Sequence, residues 1–159
     1  MYISYEEYAE IYGPVENFQR LHFDACQLMD KYTTGVDGIK KLRKFFPTEE
    51  ADAEAVKYCA AKLIDTLNQI QEAEKAMAVS RGYTETENGL RRNIVSRVES
   101  GNEAISYMEP GNKSSAIDKA VASVEDRNKL VADIIRSGLS GVRDANGVNL
   151  LYMGIYPRR

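Results

Sequence analysis

The amino-acid sequence predicts an all-α fold: a small bundle of about four to five helices, with a long extended or β-hairpin-like arm between the last two long helices. Apolar residues recur at helical spacing in the long segments, and serines stand three residues before acids where helices should begin. The stretch 83–112 has far fewer apolar residues. A chain of 159 residues is typical of one domain, so we expect a single helical domain at 1–159 with a flexible arm at 83–112.

The first helix is expected at about 4–12. Ser4 followed by Glu7 has the spacing of a capping box, and Gly13-Pro14 is a stop signal. One face of this helix carries tyrosines at helical intervals: Tyr2, Tyr5, Tyr8 and Tyr12. They either cover the protein's own core or in part face another subunit, because tyrosine is enriched at interfaces.

Three longer helices are expected at about 14–32, 48–80 and 115–138. Each carries an apolar stripe at helical spacing, and the last begins at Ser115 with Asp118 three residues later. These three helices should supply the core, with the N-terminal helix packed across them.

A short basic helix at 39–46 is expected before Pro47. Its cations should lie on a solvated face that is dispensable for folding: Lys40, Lys41, Arg43 and Lys44. Cys26 and Cys59 stand among apolar helix positions, which predicts two reduced packing thiols in a protein of the cytosol.

The arm at 83–112 has two alternative interpretations. A two-residue rhythm sets positions 94, 96 and 98 (Ile, Ser, Val) against 95, 97 and 99 (Val, Arg, Glu). A turn signal follows at 100–102, and Ile105 and Tyr107 resume the rhythm, which favours a hairpin or an extended arm. A helical continuation through Leu90, Ile94 and Val98 is the other alternative. Long connections with so few apolar residues are usually disordered or functional.

The composition argues against most kinds of chemistry. The sequence has a single histidine, His22, and two cysteines. These three residues do not have the spacing of zinc ligands. Phosphate-binding glycine motifs are missing. The formal net charge of −3 argues against a dedicated nucleic-acid binder, and no apolar run is long enough to span a membrane. We therefore expect no enzyme activity, no catalytic residues, no metal and no cofactor.

The order of several segments resembles the head-tail connector, or head-completion adaptor, proteins of long-tailed bacteriophages and prophages. The opening YISYEEYAEIYG is followed by a helix with Phe18, Arg20, Leu21, Ala25, Met29, Asp30 and Thr33. An acid-led helix containing AVKYCAAKLIDTL, an arm IVSRVESGNEAISYM and a closing NGVNLLYMGIYPRR come after it. The resemblance spans nearly the whole chain and rests on the order and spacing of these pieces.

The resemblance implies a structural virion protein, made in the bacterial host cytoplasm, that forms a ring beneath the portal and extends the DNA channel. Its implied partners are further copies of itself, the portal protein, and a stopper or tail-completion protein, while DNA passes without specific binding. The subunit or partner interface is then expected in the arm and the C-terminal tail: Arg91, Arg92, Val95, Arg97, Val98, Glu99, Ile105, Tyr107, Tyr156, Arg158 and Arg159.

Two further expectations concern the C-terminus and an alternative function. Leu150 and Leu151 should anchor the tail to the body, while residues 156–159 reach a partner. The alternative function is a small helical DNA-binding or regulatory accessory protein of a phage or prophage, which the basic helix at 39–46 favours.

Overall fold

The structure is a computed structural model that describes residues 2–80, 83–86, 89–92 and 115–157. The described chain is all-α apart from one short hairpin, which confirms the predicted fold class. Its elements follow in chain order: α1 Tyr5–Tyr12, α2 Phe18–Thr33, α3 Lys41–Lys44, α4 Glu50–Ser80, β1 Tyr83–Thr86, β2 Gly89–Arg92, α5 Ala116–Ala122 and α6 Val124–Gly138. None of the described helices is both long enough and apolar enough to cross a membrane.

The expected capping box at the start of α1 is confirmed. The Glu7 backbone N–H donates to Ser4 Oγ over 3.2 Å, and the Ser4 N–H donates to Glu7 Oε2 over 2.8 Å. Both reciprocal bonds satisfy donors that the first helical turn would leave free. The helix ends at Tyr12, before Gly13, as the sequence predicted.

The tyrosine stripe divides between core and surface. Tyr2 and Tyr8 are buried, whereas Tyr5 and Tyr12 stay more than a third exposed. Phe18 of α2 lies beside this stripe, with its ring centroid 5.2 Å from Tyr5 and 5.4 Å from Tyr8. These aromatic contacts dock α1 on α2.

Helix α2 starts later than predicted, at Phe18 rather than near Pro14. Asn17 adopts left-handed backbone angles (φ 60°, ψ 27°) and stands as the N-cap without a side-chain bond. Asparagine tolerates the left-handed conformation better than most residues do. The turn at 13–17 therefore ends at Asn17, and the helix begins at the next residue.

The predicted helix at 115–138 is two helices. Ser115 and Asp118 form the expected capping box of α5. Ser123 is extended (φ −139°), and its Oγ accepts the Asp126 N–H over 3.3 Å, so it caps α6 in turn. The sequence repeats the serine-x-x-aspartate spacing there, and that signal predicts the break.

The chain divides into two compact units, Met1–Asn68 with Asn128–Arg159, and Gln69–Arg127. The first unit holds a hydrophobic core from α1, α2, α3, the first half of α4, α6 and the C-terminal segment (residues 139–157). Leu150 is fully buried in that core and Leu151 packs against it, which confirms both as anchors.

The second unit contains the hairpin and α5. Strands β1 and β2 pair antiparallel, with Tyr83 opposite Arg92 and Thr86 opposite Gly89. The helical alternative through Leu90 is therefore wrong, since Leu90 lies in β2. The strand positions expected at 94–98 and 105–107 lie outside the described residues.

Candidate functional site: the clasped C-terminal segment

The C-terminal segment turns back on itself through one aspartate. Asp144 is buried, and its Oδ1 accepts the backbone N–H groups of Asn146 and Val148, each over 2.9 Å. Arg143 and Asn149 then pair in an isolated antiparallel bridge. The carboxylate thereby satisfies the turn's backbone donors and brings Leu150 into the core.

A buried lysine holds the next part of the segment. Lys41 is only 1% exposed, and its Nζ donates to the Tyr152 carbonyl and, over 3.4 Å, to the Asn149 carbonyl. Burial lowers the pKa of Lys41, while the carboxylates of Asp144 and Asp37 oppose that shift. The Lys41 ammonium therefore connects α3 to the C-terminal segment, and we call these two hydrogen bonds the Lys41 clasp.

A third polar contact fixes the end of the segment. The Tyr156 backbone N–H donates to Asp37 Oδ2 over 2.7 Å, and the Ile39 N–H donates to Asp37 Oδ1 over 3.1 Å. These backbone bonds lower the pKa of Asp37. The Tyr156 hydroxyl donates to Asp144 Oδ2 over 2.6 Å, and its ring stacks on Phe45 at 4.7 Å between centroids.

Tyr156 is therefore an anchor and not the exposed contact that the sequence suggested. It is 7% exposed because its hydroxyl has polar partners inside the body, including the Asn146 side-chain amide at 2.9 Å. Arg91 and Arg92 lie on β2. The remaining predicted interface residues lie outside the described part of the chain: Val95, Arg97, Val98, Glu99, Ile105, Tyr107, Arg158 and Arg159.

The clasped segment presents apolar side chains to solvent beside a loop that precedes α3. We call these four residues the C-terminal patch: Val36 (75% exposed), Tyr152 (48%), Met153 (50%) and Ile155 (71%). The Val36 N–H donates to the Met153 carbonyl over 3.0 Å, so the loop and the segment lie side by side. A Cβ on Gly35 would meet the Gly154 carbonyl at 2.8 Å, which explains the glycine there.

A second polar group links the N-terminus to α2 and α3. The Tyr2 hydroxyl donates to Asp30 Oδ1, and Arg43 Nε lies 2.5 Å from Asp30 Oδ2. The Asp30 carboxylate is almost fully buried, so the guanidinium supplies its charge partner. Burial, followed by the Asp30 contacts, raises the pKa of Tyr2.

Tyr2 and Arg43 of this network line a cavity of about 590 Å³, together with Phe23, Cys26 and Phe46. His22 belongs to the same wall, is 2% exposed, and has no hydrogen-bond partner for Nε2 among the described residues. Burial lowers the pKa of His22, because removal from water disfavours the charged imidazolium.

The basic helix is shorter than the predicted 39–46, since it spans Lys41–Lys44, and the exposure of one of its cations also differs. Lys40, Arg43 and Lys44 are exposed as expected, but Lys41 is buried because it is the clasp. Cys26 and Cys59 are free thiols; Cys59 is buried, and burial raises its pKa to about 12.

Sequence reasoning missed three anchors: Asp37, Lys41 and Asp144. The D-x-x-G turn at 144–147 was a readable signal for Asp144, whereas the partners of Lys41 lie more than a hundred residues away in sequence. Within the described residues no three histidine, cysteine or acidic side chains are grouped to hold a metal ion. No known protein family, curated protein or solved structure matches this chain.

Proposed function

We propose that the chain is a structural subunit of a bacteriophage or prophage head-tail connector, forming a ring beneath the portal that extends the DNA channel. In this role it needs no cofactor and catalyses no reaction. It is made in the bacterial host cytoplasm and ends in the virion. The order of its sequence segments supports the proposal, as does an all-α body in which side chains of residues 2–12 and 139–151 pack in the core.

The C-terminal patch is the observation that carries the proposal. Its side chains are apolar and exposed, yet the segment behind them is fixed by Lys41, Asp37 and Asp144. Exposed apolar residues that cluster mark interaction sites more often than isolated ones do. Because the backbone is already ordered, a partner binds there without the entropy loss of folding a tail.

We assign different partners to different surfaces. Copies of the chain contact one another head to tail, since a ring closes by heterologous contacts. The C-terminal patch faces the portal protein or a stopper or tail-completion protein. The arm, residues 83–112, contacts a neighbouring subunit or the portal, and DNA passes through without specific binding.

The direct test removes the gene from the phage or prophage genome that encodes it. We expect filled heads that lack tails, with infectivity restored by the intact gene supplied in trans. Electron microscopy of the purified chain, or of particles labelled on it, should place a ring at the portal vertex. Normal tailed particles in the deletion strain would overturn the proposal.

A DNA-binding or regulatory accessory protein is the second candidate, because Lys40, Arg43 and Lys44 are exposed within five residues. Such a protein should bind duplex DNA at physiological salt, with an affinity that falls steeply as salt rises. A connector subunit should bind duplex weakly under the same conditions. Titration of fluorescent duplex with the purified chain separates the two.

A further inference from the structure

The surface around α3 combines positive charge with apolar hollows. Its exposed cations, Lys40, Arg43 and Lys44, form what we call the α3 ridge. Of these three cations, only Arg43 has an ion-pair partner within 4.0 Å among the described residues, the buried Asp30 carboxylate. The ridge therefore carries net positive charge on a chain whose formal net charge is −3.

Two cavities of similar size adjoin this ridge. Leu42 and Arg43 line the cavity of about 590 Å³ together with Phe23 and Phe46. Lys44 and Phe45 line another, of about 580 Å³. A phosphate backbone would use the cations but leave the aromatic rings of Phe23, Phe45 and Phe46 uncovered. The combination instead suits a protein surface that brings acids together with a large apolar side chain.

The same chain carries such a surface on α4. Glu50, Glu54 and Tyr58 recur every four residues and therefore share one helix face, and all three are exposed. Tyr58 is 59% exposed, while the residues beside it on the helix, Cys59 and Ala60, are buried. We call these three residues the α4 acidic face. Neither glutamate has an ion-pair partner within 4.0 Å in the described part of the chain.

We propose that the α3 ridge of one copy docks against the α4 acidic face of a second copy, with Tyr58 entering an apolar hollow beside the ridge. The inference rests on the proposed connector function, because it names one contact by which the ring would assemble. Opposite charges across the contact would set its orientation and speed the encounter of subunits.

Charge reversal tests the contact with the full chain. The ridge variant carries Lys40→Glu and Lys44→Glu, and the acidic-face variant carries Glu50→Lys and Glu54→Lys. Sedimentation equilibrium in low salt should show that each variant self-associates at least about tenfold more weakly than the wild type, since like charges then meet across the contact. Combining all four changes in one chain should restore association to within about threefold of the wild type.

Further variants separate the contact from effects on folding. Tyr58→Ser should weaken association while leaving the thermal midpoint nearly unchanged. Glu125→Lys is the matched control, because Glu125 is also exposed in the first turn of a helix, α6, and should leave association at the wild-type level. An equimolar mixture of the ridge variant and the acidic-face variant should associate more tightly than either variant alone, because the reversed surface of each then has opposite charge to the reversed surface of the other.

Three results would contradict the proposed contact between copies, and each has a different consequence for the connector proposal. Wild-type association that is unaffected by either reversal overturns the contact but leaves the connector proposal standing. A ridge reversal that abolishes binding to a duplex DNA probe while self-association persists assigns the ridge to nucleic acid and overturns the contact. A wild-type chain that stays monomeric also overturns it, and the connector function is then judged by the presence of the chain in purified particles.

Discussion

Lys41 shows how a single buried cation can organise a chain terminus. A lysine side chain is seldom fully buried without partners, because desolvation of the ammonium is unfavourable. Here the partners are backbone carbonyls at Asn149 and Tyr152, with Asp144 and Asp37 near enough to stabilise the charge. The position of the C-terminal patch therefore depends on a residue that does not itself contact solvent.

Replacing Lys41 with methionine should destabilise the protein by about 1–3 kcal/mol, because methionine cannot donate to the Tyr152 carbonyl and the Asn149 carbonyl keeps only the Tyr152 N–H. Urea unfolding at neutral pH measures the change. Lys40→Met is the matched control, since Lys40 is exposed, and should stay within about 0.5 kcal/mol of the wild type. Equal stability of the two variants would contradict the role of Lys41 as a clasp.

His22 gives a pH-dependent prediction. Burial lowers its pKa below the ordinary value of about 6.5, so the unfolded chain takes up a proton at a higher pH than the folded chain does. The free energy of unfolding should therefore decline as pH falls below about 6.5, by at most about 1.4 kcal/mol per pH unit from this group. Tyr2, Cys26 and Arg43 line the same cavity, and none of their ordinary pKa values lies in this window.

The measurement compares urea unfolding at pH 7.5 and pH 5.5 for the wild type and for His22→Phe. Phenylalanine keeps a ring against Phe18, which stacks on His22 at 5.2 Å between centroids, and removes the titrating nitrogen. The wild type should lose more stability on acidification than the variant. Identical losses would mean that His22 protonates equally in the folded and unfolded chains.

At the scale of elements, local signals were predictable and long-range ones were not. The capping boxes at Ser4 and Ser115 depend on residues three apart, so the sequence contains them completely. The start of α2 depends on the left-handed Asn17, and the break before α6 on Ser123, both of which a smooth apolar periodicity conceals. The burial of Lys41 and Tyr156 needed the tertiary fold, because their partners come from distant parts of the chain.

The packing of α4 against α6 leads to a prediction at Gly138. A Cβ added there would lie 3.0 Å from Cys59 Cβ, a tight contact, and 2.8 Å from Cys59 Sγ, closer than real Cβ contacts. Gly138→Ala should therefore destabilise the protein by about 1–3 kcal/mol, although alanine favours helix over glycine. The destabilisation caused by Gly138→Ala should be smaller in a Cys59→Ala background, because the sulfur atom is then absent.

A double-mutant cycle measured by thermal unfolding tests this coupling. Cys26→Ala is the matched control background, since Cys26 is free but only partly buried and Gly138 has no close contact with it. The cost of Gly138→Ala should be the same there as in the wild type. An unchanged destabilisation in the Cys59→Ala background would mean that contact with the Cys59 sulfur is not its cause.

At the scale of the whole molecule, the described N-terminal and C-terminal segments are held by different contacts. The N-terminal end is held by aromatic contacts and by the Tyr2–Asp30–Arg43 network, whereas the C-terminal segment is held by the Lys41 clasp and by Asp37 and Asp144. Both sets of contacts reach α2, α3 or the loop between them. Residues 30–46 thus connect the tyrosine-rich helix to the C-terminal patch. Both belong to the same compact unit, which can therefore hold the patch in place for a partner.

The final prediction tests whether that patch acts in assembly and not in folding. The double variant Met153→Ser and Ile155→Ser removes two exposed apolar side chains, so its free energy of unfolding should stay within about 1 kcal/mol of the wild type. Supplied in trans to a phage that lacks the gene, it should give far fewer tailed, infectious particles. Val124→Ser is the matched control, because Val124 is 71% exposed like Ile155 but lies on α6, and should complement fully. Full complementation by the double variant would remove the C-terminal patch from the assembly surface, whereas unfolding of the variant would show that these side chains stabilise the segment itself.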